Sequence, residues 1–201
     1  HLDGVAFPLY YMTGMAAWGS MTAVISIGAR IAAERQLGWG RQMRLTPLST
    51  ARYFQAKVLG GYLMAVMSIL ALTAAGAALG VQLSLTRWLL MAVLVLVVLL
   101  PFAVLGVLMG HVLKVDTAGP AMGGVVTLLA LVGGTWGPLA SGGVLLALFK
   151  LVPSYWLVLA GRSALTGSAR LPWQAWAVTV AWTAVLAALA AWVYRRDTAR
   201  A

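Results

Sequence analysis

Residues 88–110 read WLLMAVLVLVVLLPFAVLGVLMG, twenty-three positions without a charged side chain. About 20 apolar residues in a helix cross the ~30 Å hydrocarbon core of a bilayer. A lipid-exposed backbone must satisfy its own polar groups, so such a run is a membrane-spanning helix. Pro101 falls in the middle of it and predicts a kink. Four more stretches of comparable length and character lie on either side: Phe7–Ala29, Val58–Val81, Ala118–Trp136 and Trp173–Tyr194. The expectation is an all-α polytopic bundle of five spans forming one transmembrane domain over residues 1–201.

Composition agrees. Hydrophobic residues make up 62% of the chain and charged residues 9%, against about 45–50% and 25% in soluble domains. The net charge of +10 is gathered in short segments between apolar runs. That pattern sets topology and attracts anionic membrane lipids; it is not a nucleic-acid surface. With no cysteine there is no disulfide, thiolate metal site or cysteine nucleophile.

A sixth apolar stretch, Val144–Gly161, is interrupted by Lys150 and Pro153. A mid-span lysine is costly and proline ends a helix, so this segment reads as two short helices that dip into the membrane or lie at its surface. Charge supports this reading. If the loop from Arg30 to Lys57 is inside, five spans place ten basic residues inside and four outside (Arg87, Lys150, Arg162 and Arg170). A sixth crossing would move Arg195, Arg196 and Arg200 outside and weaken the bias. The positive-inside rule therefore predicts a multi-pass plasma-membrane protein with its first residue outside and its C-terminus in the cytoplasm. Tyr53, Trp192 and Tyr194 fall at the inner ends of spans, and Tyr10, Trp88, Trp136, Trp156 and Trp173 at the outer ends, as headgroup-seeking rings should. Trp18 and Trp182 fall inside spans and are expected to pack there.

Chemistry-bearing residues are sparse. The four acids, Asp3, Glu34, Asp116 and Asp197, all lie outside the spans, and both histidines, His1 and His111, lie at ends. Acid–base and metal catalysis have almost nothing to work with. A proton- or sodium-coupled carrier would need an intramembrane carboxylate. There is no phosphate-binding loop either, so energy for any movement would come from another subunit.

The longest polar segment is Arg30–Lys57. The first helix can run on through Glu34 and Arg35, Gly38-Trp39-Gly40 should break it, and Arg41–Leu45 allows a short basic helix. Thr46 and Pro47 suit the start of the next helix. On pattern alone, a positive loop touching lipid headgroups and a docking element for a partner are equally good readings.

The run Ala33-Glu34-Arg35-Gln36-Leu37-Gly38, then Arg41-Gln42-Met43-Arg44-Leu45-Thr46-Pro47-Leu48-Ser49, then Lys57, resembles the cytoplasmic signature of ABC-2 type transporter permeases. The resemblance implies that Glu34, Arg35, Arg41, Gln42, Met43, Arg44, Leu45, Thr46 and Pro47 form a coupling region that docks on a cytoplasmic ABC ATPase subunit. ATP and Mg would bind in that partner, with no cofactor in this chain. It implies six spans in the full family fold, the first of them preceding His1, and small extracellular re-entrant helices, for which Val144–Gly161 would stand. It also implies pairing with a second permease copy or a paralogue, and export of a lipophilic or amphiphilic substrate such as an antibiotic, drug or lipid.

Met12, Thr13, Met15, Trp18, Ser20 and Thr22 on the first span would line the pathway, although a packed helix uses the same side chains. Four Gly-x-x-x-Gly pairs start at Gly76, Gly106, Gly119 and Gly133; most should serve close packing within the chain. Gly119, Gly123, Gly124 and Gly133 make the fourth span the expected dimer contact. The alternatives from other classes are a scaffold or sensor subunit that binds a cytoplasmic partner without transport, and, less well supported by the residues, an intramembrane enzyme.

Overall fold

The computed structural model describes residues 7–38, 50–81, 83–137, 143–163 and 170–199, and among these every regular element is helical. In chain order they are α1 (Phe7–Ile25), α2 (Ile27–Gln36), α3 (Thr50–Ala78), α4 (Leu85–Val98), α5 (Leu100–Val112), α6 (Val115–Val132), α7 (Gly143–Phe149), α8 (Pro153–Ser163) and α9 (Trp173–Ala199). The protein is a polytopic helical bundle, as its composition requires.

Among the described residues, four helices are long and apolar enough to cross a membrane unaided: the α1–α2 rod, α3, α6 and α9. The pair α4–α5, bent by 41°, is long and apolar enough to make a fifth crossing as one broken span. The bend has the predicted cause. The chain breaks helical register at Leu99, and Pro101, which has no N–H to give, sits in the first turn of α5, where such a donor is not needed. The expected first span is longer than its apolar run suggested. After a one-residue interruption at Ser26, where the backbone stays helical, it continues as α2 to Gln36, and Gly38 (φ +72°) ends it, a backbone conformation that glycine adopts without strain.

Pair α7–α8 is bent by 88°. Its arms of 7 and 11 residues are about 10 and 16 Å long, so neither can cross alone. The break falls at Lys150–Val152, as the lysine and Pro153 predicted. The structure thus has two ends. At the loop end, α2 finishes, α3 begins, α5 passes to α6 and α9 finishes. At the other, the hairpin end, α1, α4 and α9 begin.

Apolar stripes face outward. Leu59, Leu63, Met67 and Leu70 on α3, and Trp182, Val185, Leu189 and Trp192 on α9, are all exposed, as lipid-facing positions at helical spacing should be. The first rod is the centre. Of its most apolar stretch 56% is buried, against 17, 22 and 11% for α3, α6 and α9. Lipid is as apolar as leucine, so close backbone approach does the packing instead. Gly28 lies against Gly106 and Gly110, where a Cβ would come within 2.3 Å of the Gly106 carbonyl oxygen. The pair Gly106/Gly110 therefore packs within the chain. Gly14 meets the Thr135 carbonyl in the same way.

Trp182 departs from expectation. It lies on the exposed face of α9 rather than in the packing, and its indole N–H donates to the Leu151 carbonyl at 2.8 Å. Trp18 is likewise exposed.

Candidate coupling site

The loop end is where side chains with chemistry gather. Glu34 and Arg35 are neighbours on α2, so their side chains diverge by about 100° and reach different helices. Glu34 turns to α3. One carboxylate oxygen takes an ion pair from Lys57, and the other accepts the Tyr53 hydroxyl at 2.7 Å. Tyr53 and Lys57 are four residues apart and share a helix face, with the Lys57 ammonium 5.2 Å from the Tyr53 ring centre. Less than a third of either charged side chain is exposed (22% for Lys57, 29% for Glu34), so solvent screens this pair less than a surface one.

Arg35 turns to α5. Its guanidinium donates to the His111 carbonyl at 2.5 Å and the Gly110 carbonyl at 3.3 Å. These belong to the last turn of α5, whose carbonyls have no helical partner and whose dipole favours a cation. The His111 ring is buried, with Nδ1 2.8 Å from the Val107 carbonyl; facing an acceptor, that nitrogen carries the proton. Around it the rings of Phe54 on α3 and Tyr194 on α9 close a triangle, with centres 5.3 Å (Phe54–His111), 5.3 Å (Phe54–Tyr194) and 6.0 Å (His111–Tyr194) apart.

One ion pair, one helix cap and one aromatic triangle therefore join α2, α3, α5 and α9. The stretch 39–49, which carries Arg41, Gln42, Met43, Arg44, Leu45, Thr46 and Pro47, lies outside the described residues; it connects the two helices that Glu34 ties together. The helices on either side of it, α2 and α3, are thus directly linked.

The expected pathway residues do not share one face. Thr13 and Ser20 are fully buried, and their hydroxyls donate back to helix carbonyls at 2.9 Å (Tyr10) and 2.7 Å (Ala16). Met12 packs beside Gly76 of α3. Met15, Trp18 and Thr22 lie on the other side of the helix, part-exposed, in line with exposed Ser26 and Arg30. Of the glycines expected at a dimer contact, Gly119, Gly123 and Gly124 are exposed with open space beside them, whereas Gly133 packs on the Ser154 carbonyl within the chain.

Sequence reasoning assigned no coupling role to Tyr53, Phe54, His111 or Tyr194. A usable signal was present for Tyr53, which stands four residues before Lys57 on the helix facing the segment's one acid. The meeting of Phe54, His111 and Tyr194, from three distant helices, left no local trace.

Residues 3–193 match the model of the ABC-2 family transporter proteins. The chain belongs to the ABC-2 transporter family. It is also similar to a Bacillus subtilis (strain 168) protein named "Putative transport permease YvfS", with 34% identity over 138 residues, which are 68% of this chain and 56% of that protein. The match thus spans little more than half of the relative's length. No solved structure matches. This is a multi-pass membrane protein of an ABC-2 transport permease family, and the tied loop end lies beside the segment that resembles the family's coupling region.

Proposed function

We propose that this chain is the membrane subunit of an ATP-driven exporter, energised by a cytoplasmic ABC ATPase that binds ATP and Mg and docks on residues 41–45. The observation that supports this best is the double anchorage of α2, Glu34 to α3 and Arg35 to α5. A push on the 39–49 segment moves α2 and α3 as one piece and drags α5 and α9 through the cap and the aromatic triangle. Such rigid-body movement can switch a bundle between two access states. A second permease copy or paralogue faces the exposed glycines Gly119, Gly123 and Gly124 of α6, where backbones can approach closely. The cargo is an amphiphilic or lipophilic molecule, which suits the part-exposed Met15, Trp18, Thr22 and Ser26 on the first rod.

The test is the double change Arg41→Glu with Arg44→Glu. These residues are spaced i, i+3 and share a helical face, and the substitutions add repulsion while deleting attraction. Each exposed pair contributes only about 0–1 kcal/mol, so both must be changed. ATPase co-purification and export are both expected to fall at least tenfold while expression holds. Normal binding and export would reduce the segment to a basic loop against lipid. Retained binding without any export in the wild-type complex would favour a scaffold.

Orientation follows from the ten-to-four basic split, and the cysteine-free chain makes it easy to read. Arg170 is exposed just before α9 and Arg196 near its far end. Arg170→Cys in intact cells should react with an impermeant thiol reagent, and Arg196→Cys only after lysis. The opposite pattern would invert the topology.

A further inference from the structure

The outer face of the hairpin carries a charge that no acid among the described residues balances. Helix α7 reads GVLLALF and buries none of its residues; Val144, Leu145 and Leu148 are exposed, as is Leu151 just beyond. It is an apolar helix lying in lipid, and Lys150 follows it directly, exposed. The turn is fixed at depth. Its carbonyls, which lipid cannot satisfy, accept two indole N–H groups, Trp156 on Lys150 and Trp182 on Leu151, both at 2.8 Å. Trp182 stands nine residues into α9, about 14 Å along its axis from the hairpin end. The turn is thus held against the first third of α9, whose 27 residues, about 40 Å, exceed the hydrocarbon core by about 10 Å, so the turn lies nearer the headgroup layer than those 14 Å of axis.

An ammonium at that depth calls for an anion. The protein offers none among the described residues. Glu34, Asp116 and Asp197, the last near the end of α9, are all at the loop end, and Glu34 is taken by Lys57. The neighbouring cation Arg162 is accommodated differently, stacked 3.7 Å over the Tyr10 ring and donating to the Gly134 carbonyl at 2.7 Å. Lys150 has the four-carbon stem to reach the headgroup layer, apolar surface on α7 beside it, and the exposed rings of Trp173 and Trp176 on α9, the helix that holds the turn.

We infer that Lys150, with α7 as its apolar wall, is a binding site for the phosphate of an anionic phospholipid in the leaflet at the hairpin end. The ammonium takes the phosphate, and the acyl chains lie along Leu145 and Leu148. Bound lipid would help fix the tilt of α7, which packs only through the part-buried Leu146 and Phe149. The inference stands apart from the exporter reading, since it asks only that the chain lie in a bilayer.

The chain has no cysteine, so Leu148→Cys can carry a single bimane fluorophore beside the site. The labelled protein is reconstituted in vesicles of phosphatidylcholine with phosphatidylglycerol, one or the other brominated in its acyl chains, and quenching gives the local preference for the anionic lipid. The same label at Leu70→Cys, exposed on α3, reports bulk lipid. A preference of about fivefold is expected at position 148, the effect of one basic residue near an anionic headgroup. It should vanish in Lys150→Gln, persist in Lys150→Arg, and be absent at position 70 throughout. Equal quenching by the two lipids at position 148, or a preference unchanged in Lys150→Gln, would overturn the site.

Discussion

Gly28→Ala should lower the unfolding temperature of the detergent-purified protein by roughly 2–12 °C, the shift that overpacking by about 1–3 kcal/mol gives in a chain of this size. The new methyl would lie 2.3 Å from the Gly106 carbonyl oxygen, 2.4 Å from the Met122 methyl and 3.1 Å from the Gly110 nitrogen. The methionine can move; the two backbone atoms belong to α5, which can yield only by shifting as a helix. Reciprocal changes should behave alike, since a Cβ on Gly106 would come within 2.7 Å of the Val24 carbonyl and one on Gly110 within 2.6 Å of the Gly28 carbonyl. Gly60→Ala is the control. It lies within α3 with open space beside it, so the gain in helix propensity of up to about 1 kcal/mol should leave stability level or raised. Thermal precipitation followed by size-exclusion chromatography reads all four variants. Equal behaviour of Gly28→Ala and Gly60→Ala would mean that α2 and α5 are not in contact in the membrane.

That contact also marks the boundary of what the sequence could show. The spans were legible because lipid imposes one requirement at a time, apolar length, and Phe7, Trp88 and Trp173 begin runs that meet it without help from tertiary structure. Lys150 and Pro153 were legible for the same reason: each violates the requirement locally, and the hairpin turns between them. The extension of the first rod to Gln36 was marked by Gly38, a backbone signal. Partnerships were not legible. Gly106-x-x-x-Gly110 announces that some helix comes close but not which one, and Gly119-x-x-x-Gly123, identical in pattern, has open space beside it. Trp18 and Trp182 looked like packing residues because an aromatic inside a span usually is one, yet in a small bundle most of each outer helix faces lipid, and Trp182 is held by the carbonyl of a turn 31 residues away. At the loop end, Glu34 and Arg35 were recognisable as a pair. That they point to different helices follows from helix geometry, but which helices depended on the crossing of α2 over α5, set by Gly28.

On the proposed exporter function, the same divergence makes Glu34 the most informative residue for energy coupling. Glu34→Ala leaves the Lys57 ammonium without its carboxylate and the Tyr53 hydroxyl without its acceptor. Losing a charged partner from two groups this far from solvent costs on the order of 2–3 kcal/mol. The chain should still insert, because the apolar spans and all of the basic residues that set topology are untouched. Docking of an ATPase at Arg41–Leu45 should also survive, since those side chains are unchanged. Export should fall at least tenfold, because α3 no longer moves with α2. The expected phenotype is therefore a complex that assembles and hydrolyses ATP but does not transport, unlike the Arg41→Glu and Arg44→Glu double variant, which should not assemble. The exchange Glu34→Lys with Lys57→Glu restores a pair of opposite charges and should recover part of the transport; a lysine at 34 cannot accept the Tyr53 hydroxyl, so recovery stays incomplete. Adding Tyr53→Phe removes that unsatisfied donor and should bring the exchanged pair closer to the parent. Measuring co-purified ATPase, its hydrolysis rate and cargo export on the same four proteins separates docking from transmission. Full export by Glu34→Ala would show that α2 and α3 move together without this ion pair, and transmission would then rest on Arg35 and the end of α5.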